Sequence, residues 1–281
     1  MSNPSIQDLI RNNLTIPTLP DMVLRINALI EDPDAGTAEI GALVAEDAPL
    51  AAKVLRIANS AYYGLSGECV STAHASTVLG IKVLKNIVTQ VAVIQQFDHL
   101  EGNEHFSLRD LWDHAGLTAH LCSKAASLSS LHEVPTPEEL YVCGLLHDVG
   151  KVVLMDGLGQ DYLELARIAG EHGRSLQQVE RARLGFTHSD VGAVVAQRWG
   201  LPEPIIRAIQ FHHGPRQEVA GDVVVSIVAH ANLLAHRVKA GDLDGAGRVL
   251  DDGTRGQLGL SEAASEELLE FAAANRHVRV R

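Results

Sequence analysis

Cysteine is scarce in this chain. Cys69, Cys122 and Cys143 lie far apart and are odd in number, which argues against a disulfide framework and fits small buried apolar residues of a reducing compartment. Aromatic residues are scarcer than usual, at 4% against 46% hydrophobic residues overall. A core must therefore be assembled mainly from Ala, Leu, Val and Ile, which suits closely packed helices. Basic charge is also short. A formal net charge of −12 carries no footprint for nucleic acid, so no DNA binding is expected, and the same acidity argues against docking on an anionic membrane surface. No apolar run reaches the roughly 18 residues of a membrane span, and no basic region followed by an apolar run opens the chain. The expectation is a cytoplasmic protein. Repeats of about 20 to 50 residues are absent, as are low-complexity tracts.

What is present is helical periodicity. The 281 residues suffice for one large domain or two ordinary ones. Met22, Val23, Ile26, Leu29 and Ile30 recur at helical spacing after Pro20. Asp47 with Pro49, Ser107 with Asp110, and Ser175 with Gln178 are helix-start signals. Further helices are expected at 6–14, 161–172, 223–238 and 261–274, and one started by Pro135-Thr136-Pro137-Glu138 is expected to hold His147 and Asp148. The stretch 98–106 is polar and the best linker, while 241–259, rich in Gly and Asp, reads mostly as loop. The expected fold class is all-α in two packed helical lobes, residues 1–100 and 107–240, followed by a C-terminal loop and helix at 241–281.

The chemistry concentrates in Gly144-Leu145-Leu146-His147-Asp148-Val149-Gly150-Lys151. A charged pair within so apolar a stretch is costly unless hydrogen-bonded or metal-bound, and imidazole with carboxylate is a ligand set for Zn, Mn or Fe. The plain alternative is a core His paired with its neighbour. Fourteen histidines are many for this length. His114 sits one turn after Asp110, His188 starts a helix, His212 and His213 end one, and Asn232 lies in the long helix after them. Separate helices can point such side chains into one cavity. His230 and His236 could flank the site but read first as helix-surface or core residues. Glu180, eight residues before His188, could reach the cavity but reads first as a helix-surface glutamate. His74, His99, His105, His120, His132 and His172 read as solvated or capping residues. Asn59 and Ser60, at a helix end, are expected to satisfy backbone groups.

The order His, His-Asp, His, His-His resembles the HD superfamily of metal-dependent phosphohydrolases. Glu46-Asp47-Ala48-Pro49-Leu50, Leu55-Arg56-Ile57-Ala58-Asn59-Ser60-Ala61, Val78-Leu79-Gly80 and Gly185-Phe186-Thr187-His188-Ser189-Asp190-Val191-Gly192-Ala193 narrow the resemblance to the HDOD family, over residues 14–237. The resemblance implies an HD-like second lobe and a bacterial signal-transduction or regulatory role through protein–protein contact, with a nucleotide as a candidate ligand. It implies one or two divalent ions (Fe, Mn or Zn) held by His114, His147, Asp148, His188, His212 and His213, with Asp110 and Asn232 as additional ligands. The alternative it carries is a metal-dependent phosphohydrolase acting on a nucleotide or other phosphoester, with Asp148 and Lys151 as catalytic residues. Two departures stand out. Asn232 occupies the place where HD enzymes usually supply a last aspartate, and Gly214-Pro215 follows His212-His213 in place of the Gly-Tyr-Pro signature of the related HD-GYP phosphodiesterases.

Overall fold

The computed structural model describes residues 18–32, 35–59, 63, 65, 67–214 and 221–277. Among them every regular element is a helix, and the one extended pairing is an isolated bridge between Asn103 and Phe106. The all-α expectation therefore holds. The helix expected at 6–14, and Ser60, lie outside the described residues. Two compact units separate, Thr18–His99 and one beginning at Leu100.

The first unit holds α1 (Asp21–Glu31), α2 (Thr37–Ala45), α3 (Ala48–Ala58), α4 (Thr72–Leu79) and α5 (Ile81–Gln96). Asp47 starts α3 by accepting the Leu50 N–H at 3.0 Å, one of the donors a helix start leaves unpaired. The helical spacing of Ile26, Ile40, Val44, Leu50, Val54, Leu84, Ile87 and Val88 puts all of them in one core. Asn59 does satisfy backbone groups. Its amide accepts from the Cys69 N–H at 2.7 Å and donates to the Cys69 carbonyl at 2.9 Å, closing the loop that follows α3.

The second unit holds α6 (Leu108–Leu128), α7 (Pro137–Leu146), α8 (Val149–Leu158), α9 (Gln160–Glu171), α10 (Leu176–Leu184), α11 (His188–Arg198), α12 (Glu203–Phe211) and α13 (Val223–Lys239). Then come α14 (Leu243–Val249), α15 (Asp252–Leu258) and α16 (Glu262–Ala274). Capping boxes open α7, α10 and α11 at Thr136, Ser175 and Thr187.

Two expectations are corrected here. The stretch 241–259 is not mostly loop. Its aspartates are helix starts, Asp242 accepting from Gly245 and Asp251 from Thr254, each at 2.8 Å. Val249, Leu250 and Leu258 join Leu117, Leu121 and Val228 in the main core. The helix starting at Pro137 also stops at Leu146, and a new one begins at Val149.

Close backbone approach positions this junction. A Cβ on Gly144 would lie 2.7 Å from the Ala119 Cα, and one on Gly150 only 1.9 Å from the His188 carbonyl oxygen. Real Cβ contacts are never that short, so only glycine lets α7 lie on α6 and α8 on α11 at this distance.

Candidate metal centre

His147 keeps helical dihedrals, φ −53° and ψ −35°. Asp148 follows at φ −101° and ψ 9° and precedes α8 without making a side-chain capping bond. An aspartate at that position ordinarily accepts a first-turn N–H. Here the carboxylate turns inward. Its Oδ2 accepts from the Lys151 ammonium at 2.6 Å and lies 3.2 Å from His147 Nε2. Its Oδ1 lies 3.4 Å from His188 Nε2 and 3.4 Å from His212 Nε2. Asp148, His147, His188 and His212 are all buried.

The other ring nitrogens decide what these approaches mean. His147 Nδ1 donates to the Gly144 carbonyl at 2.6 Å and His212 Nδ1 to the Ile209 carbonyl at 2.7 Å. His188 Nδ1 donates to Glu180 Oε2 at 2.7 Å. A neutral imidazole that donates from Nδ1 presents a lone pair on Nε2. His147 Nε2, His188 Nε2, His212 Nε2 and Asp148 Oδ1 are all buried and have no hydrogen-bond partner among the described residues. Lone pairs therefore face lone pairs, an arrangement that a cation resolves and that burial otherwise penalises. Burial, only partly opposed by Asp148, pushes the His212 imidazole down to about 4. Burial alone would raise the Asp148 carboxyl, but His147 and Lys151 outweigh it and hold the group ionised, well below the usual carboxylate range.

Two sets of ligand atoms result, each mutually within 4.8 Å: Asp148 with His188, His212 and His213, and Asp148 with His114 and His147. Asp148 belongs to both. His213 is half-buried, its ring 4.1 Å from that of His212 and 5.1 Å from that of His188. The donor set therefore fits a transition-metal ion. Of the two additional ligands expected, Asn232 lies beside His114, its Oδ1 2.9 Å from His114 Nε2. Asp110 is exposed and belongs to neither set.

Several residues differ from their sequence reading. Glu180 is not a surface glutamate. It is buried, and it accepts the His188 backbone N–H at 2.9 Å and the Tyr162 hydroxyl at 2.6 Å besides the His188 ring. Burial would raise its carboxyl, but His188 more than offsets this and lowers it. Nothing in the polar run Gln177-Gln178-Val179-Glu180-Arg181 distinguishes that side chain from its neighbours. His236 stacks on His114, with centroids 4.1 Å apart. His120 is buried against Tyr141, neither solvated nor capping. His230, by contrast, keeps its reading as a core residue, and it donates to the Ser226 carbonyl at 2.7 Å.

A cavity of about 650 Å³ reaches the centre at His213, with Arg174, Arg181, Thr187, Gln210 and Phe211 also on its walls. Arg181 is paired with Asp190 at 2.9 Å.

The profile of the HDOD domain matches residues 16–215. An uncharacterized protein of Treponema pallidum is 31% identical over 222 residues, which make up 78% of this chain and 42% of that one. The chain thus spans under half the length of that relative. The crystal structure of an HDOD domain protein of unknown function from Geobacter sulfurreducens superposes with a TM-score of 0.81 at 25% identity and covers 96% of each chain. A presumed signal transduction protein from Marinobacter aquaeolei shares the fold, with a TM-score of 0.75 at 24% identity, over 98% of this chain and 60% of that one.

Proposed function

Because this chain belongs to the HDOD family, we propose that it is a bacterial signal-transduction protein acting through contact with a regulatory partner protein, its second unit organised around a divalent transition-metal ion. The observation that carries the metal reading is the convergence of three imidazole lone pairs and one carboxylate oxygen, all buried and otherwise unsatisfied. The second-unit histidines are held for that task. Gly144, Ile209 and Glu180 each fix one ring through its far nitrogen, the support that metal-binding imidazoles commonly receive.

A second reading is a metal-dependent phosphohydrolase acting on a nucleotide or another phosphoester. The cavity beside His213 favours it, since Arg174 and Arg181 can pair with phosphate oxygens and Phe211 offers a face to a base. An ion in the centre would supply Lewis-acid polarisation of a phosphoryl oxygen. Asp148 would hold the ion, and Lys151 would carry positive charge to the same place. Asn232 counts against this reading, because a neutral amide offsets less of an ion's charge than an aspartate does.

Elemental analysis tests the first reading on protein purified without chelator or histidine tag, beside His188→Ala and Asp148→Ala controls. Bound Fe, Mn or Zn that the controls lose would support it. No metal even after incubation with excess ion would remove the ion from it and the second reading altogether, leaving the protein partner to be sought. Hydrolysis of a nucleotide panel by the loaded protein, abolished in Asp148→Ala, would promote the second reading over the first.

A further inference from the structure

The two faces of the Asp148 carboxylate differ. On the Oδ1 face, His188 Nε2 and His212 Nε2 each lie 3.4 Å away, and His213 completes the set. Two ligand atoms bound at about 2.1 Å and at a tetrahedral angle stand roughly 3.4 Å apart. Asp148 Oδ1 therefore already stands at the spacing of one ion's ligands from both His188 and His212.

The Oδ2 face is occupied by other interactions. The Lys151 ammonium sits on Oδ2 at 2.6 Å. His114 Nε2 is 4.0 Å from it, wider than tetrahedral ligands of one ion stand, and is engaged with Asn232 Oδ1 at 2.9 Å. With the amide oxygen facing the ring, Nε2 carries the proton and donates. The stacked His236 ring holds His114 in that plane. A second dication here would have to displace an ammonium, take His114 away from Asn232 and accept an uncharged amide where an aspartate would help neutralise it.

We propose that the centre takes a single ion, held by Asp148 Oδ1, His188, His212 and His213, and that the Lys151 ammonium serves as the second, built-in positive charge on Oδ2. Asn232 keeps the other half closed by holding His114. This rests on the metal reading above and specifies it. Three imidazoles and one carboxylate select a first-row transition ion such as Zn or Fe(II) over Mg or Ca, which prefer all-oxygen sites.

The test is metal stoichiometry by mass spectrometry on the full chain, reconstituted with excess Zn and desalted, together with the electron paramagnetic resonance spectrum of the Mn(II) form. The expected result is one equivalent and the spectrum of isolated Mn(II). His188→Ala should lose that equivalent and His114→Ala should keep it. If His188→Ala does not give the wild-type circular dichroism spectrum, the half-buried His213→Gln tests the same face. The double variant Lys151→Met/Asn232→Asp should take up two equivalents and give an exchange-coupled Mn(II) spectrum. Two equivalents in the wild type would overturn the one-ion centre, as would a single equivalent that depends on His114 and not on His188. A double variant that stays at one equivalent would overturn the roles given to Lys151 and Asn232. Zero equivalents in the wild type would instead remove the metal reading itself.

Discussion

Glu180 uses both carboxylate oxygens on partners inside the second unit. Oε2 takes two donors from His188 and Oε1 takes the Tyr162 hydroxyl, so the ring of His188 is fixed in tautomer and in direction. Replacement by glutamine leaves one acceptor oxygen for three donors and puts an NH₂ group against one of them. Glu180→Gln should therefore lower metal affinity by about 10- to 100-fold, the usual cost of losing such support. Competition against a chromogenic chelator measures this, and an unchanged affinity would reduce Glu180 to a structural residue. Sequence reading raised Glu180, eight residues before His188, as a residue that could reach the cavity, but favoured a surface position because a buried glutamate in a polar helix has no pattern of its own. The metal-ligand candidates were legible for the opposite reason, since His and Asp beside apolar residues demand a partner. Asp110 shows the limit of that reasoning, because helical spacing placed it near the face of His114 while its side chain stays in solvent.

At the scale of elements, the site depends on how closely α8 can lie against α11. Gly150→Ala would place a methyl group 1.9 Å from a backbone oxygen, which no side-chain rotation can relieve. The helices must then separate, at a cost of about 1–3 kcal/mol or more, and Asp148 and His188 move apart with them. Urea unfolding and Zn binding should both report the change. Gly170→Ala on α9 is the matched control, for its Cβ meets nothing within 4 Å and should stabilise by up to ~1 kcal/mol. The interruption between α7 and α8 was not legible because apolar residues continue on both sides of His147-Asp148. The inward turn of the Asp148 carboxylate and the contact at Gly150 accompany the break, and both depend on α11, which starts some forty residues later in the chain.

For the molecule as a whole, the second unit extends beyond the stretch matched by the family profile. Leu258, Leu260, Leu268 and Ala272 pack in the same core as Leu117, Leu121 and Leu234. A chain ending at residue 240 would leave that side of α6 and α13 in water. Losing even one buried leucine side chain costs about 2–5 kcal/mol, so the shortened chain should lose its cooperative melt or melt far lower. Differential scanning calorimetry checks this, and an unchanged melting temperature would show that α14 to α16 are dispensable. Among the described residues no helix is long and apolar enough to cross a membrane.

Some of this protein was determined by local chemistry and could be taken from the sequence. Helical periodicity and the Asp, Ser and Thr caps act within one turn, so the all-α class and most helix starts followed from neighbouring residues alone. The candidate ligands followed from an order of His and Asp that resembles the HD superfamily. Tertiary structure decided what depends on distance between helices. It turned the aspartates of 241–259 into helix caps by giving Val249 and Leu258 a core to enter. It made Glu180 the support of His188, and it brought Asn232 to His114. These pairings join residues eight to 118 positions apart, and only the packing of α6, α8, α11 and α13 determines which lone pairs are left facing one another.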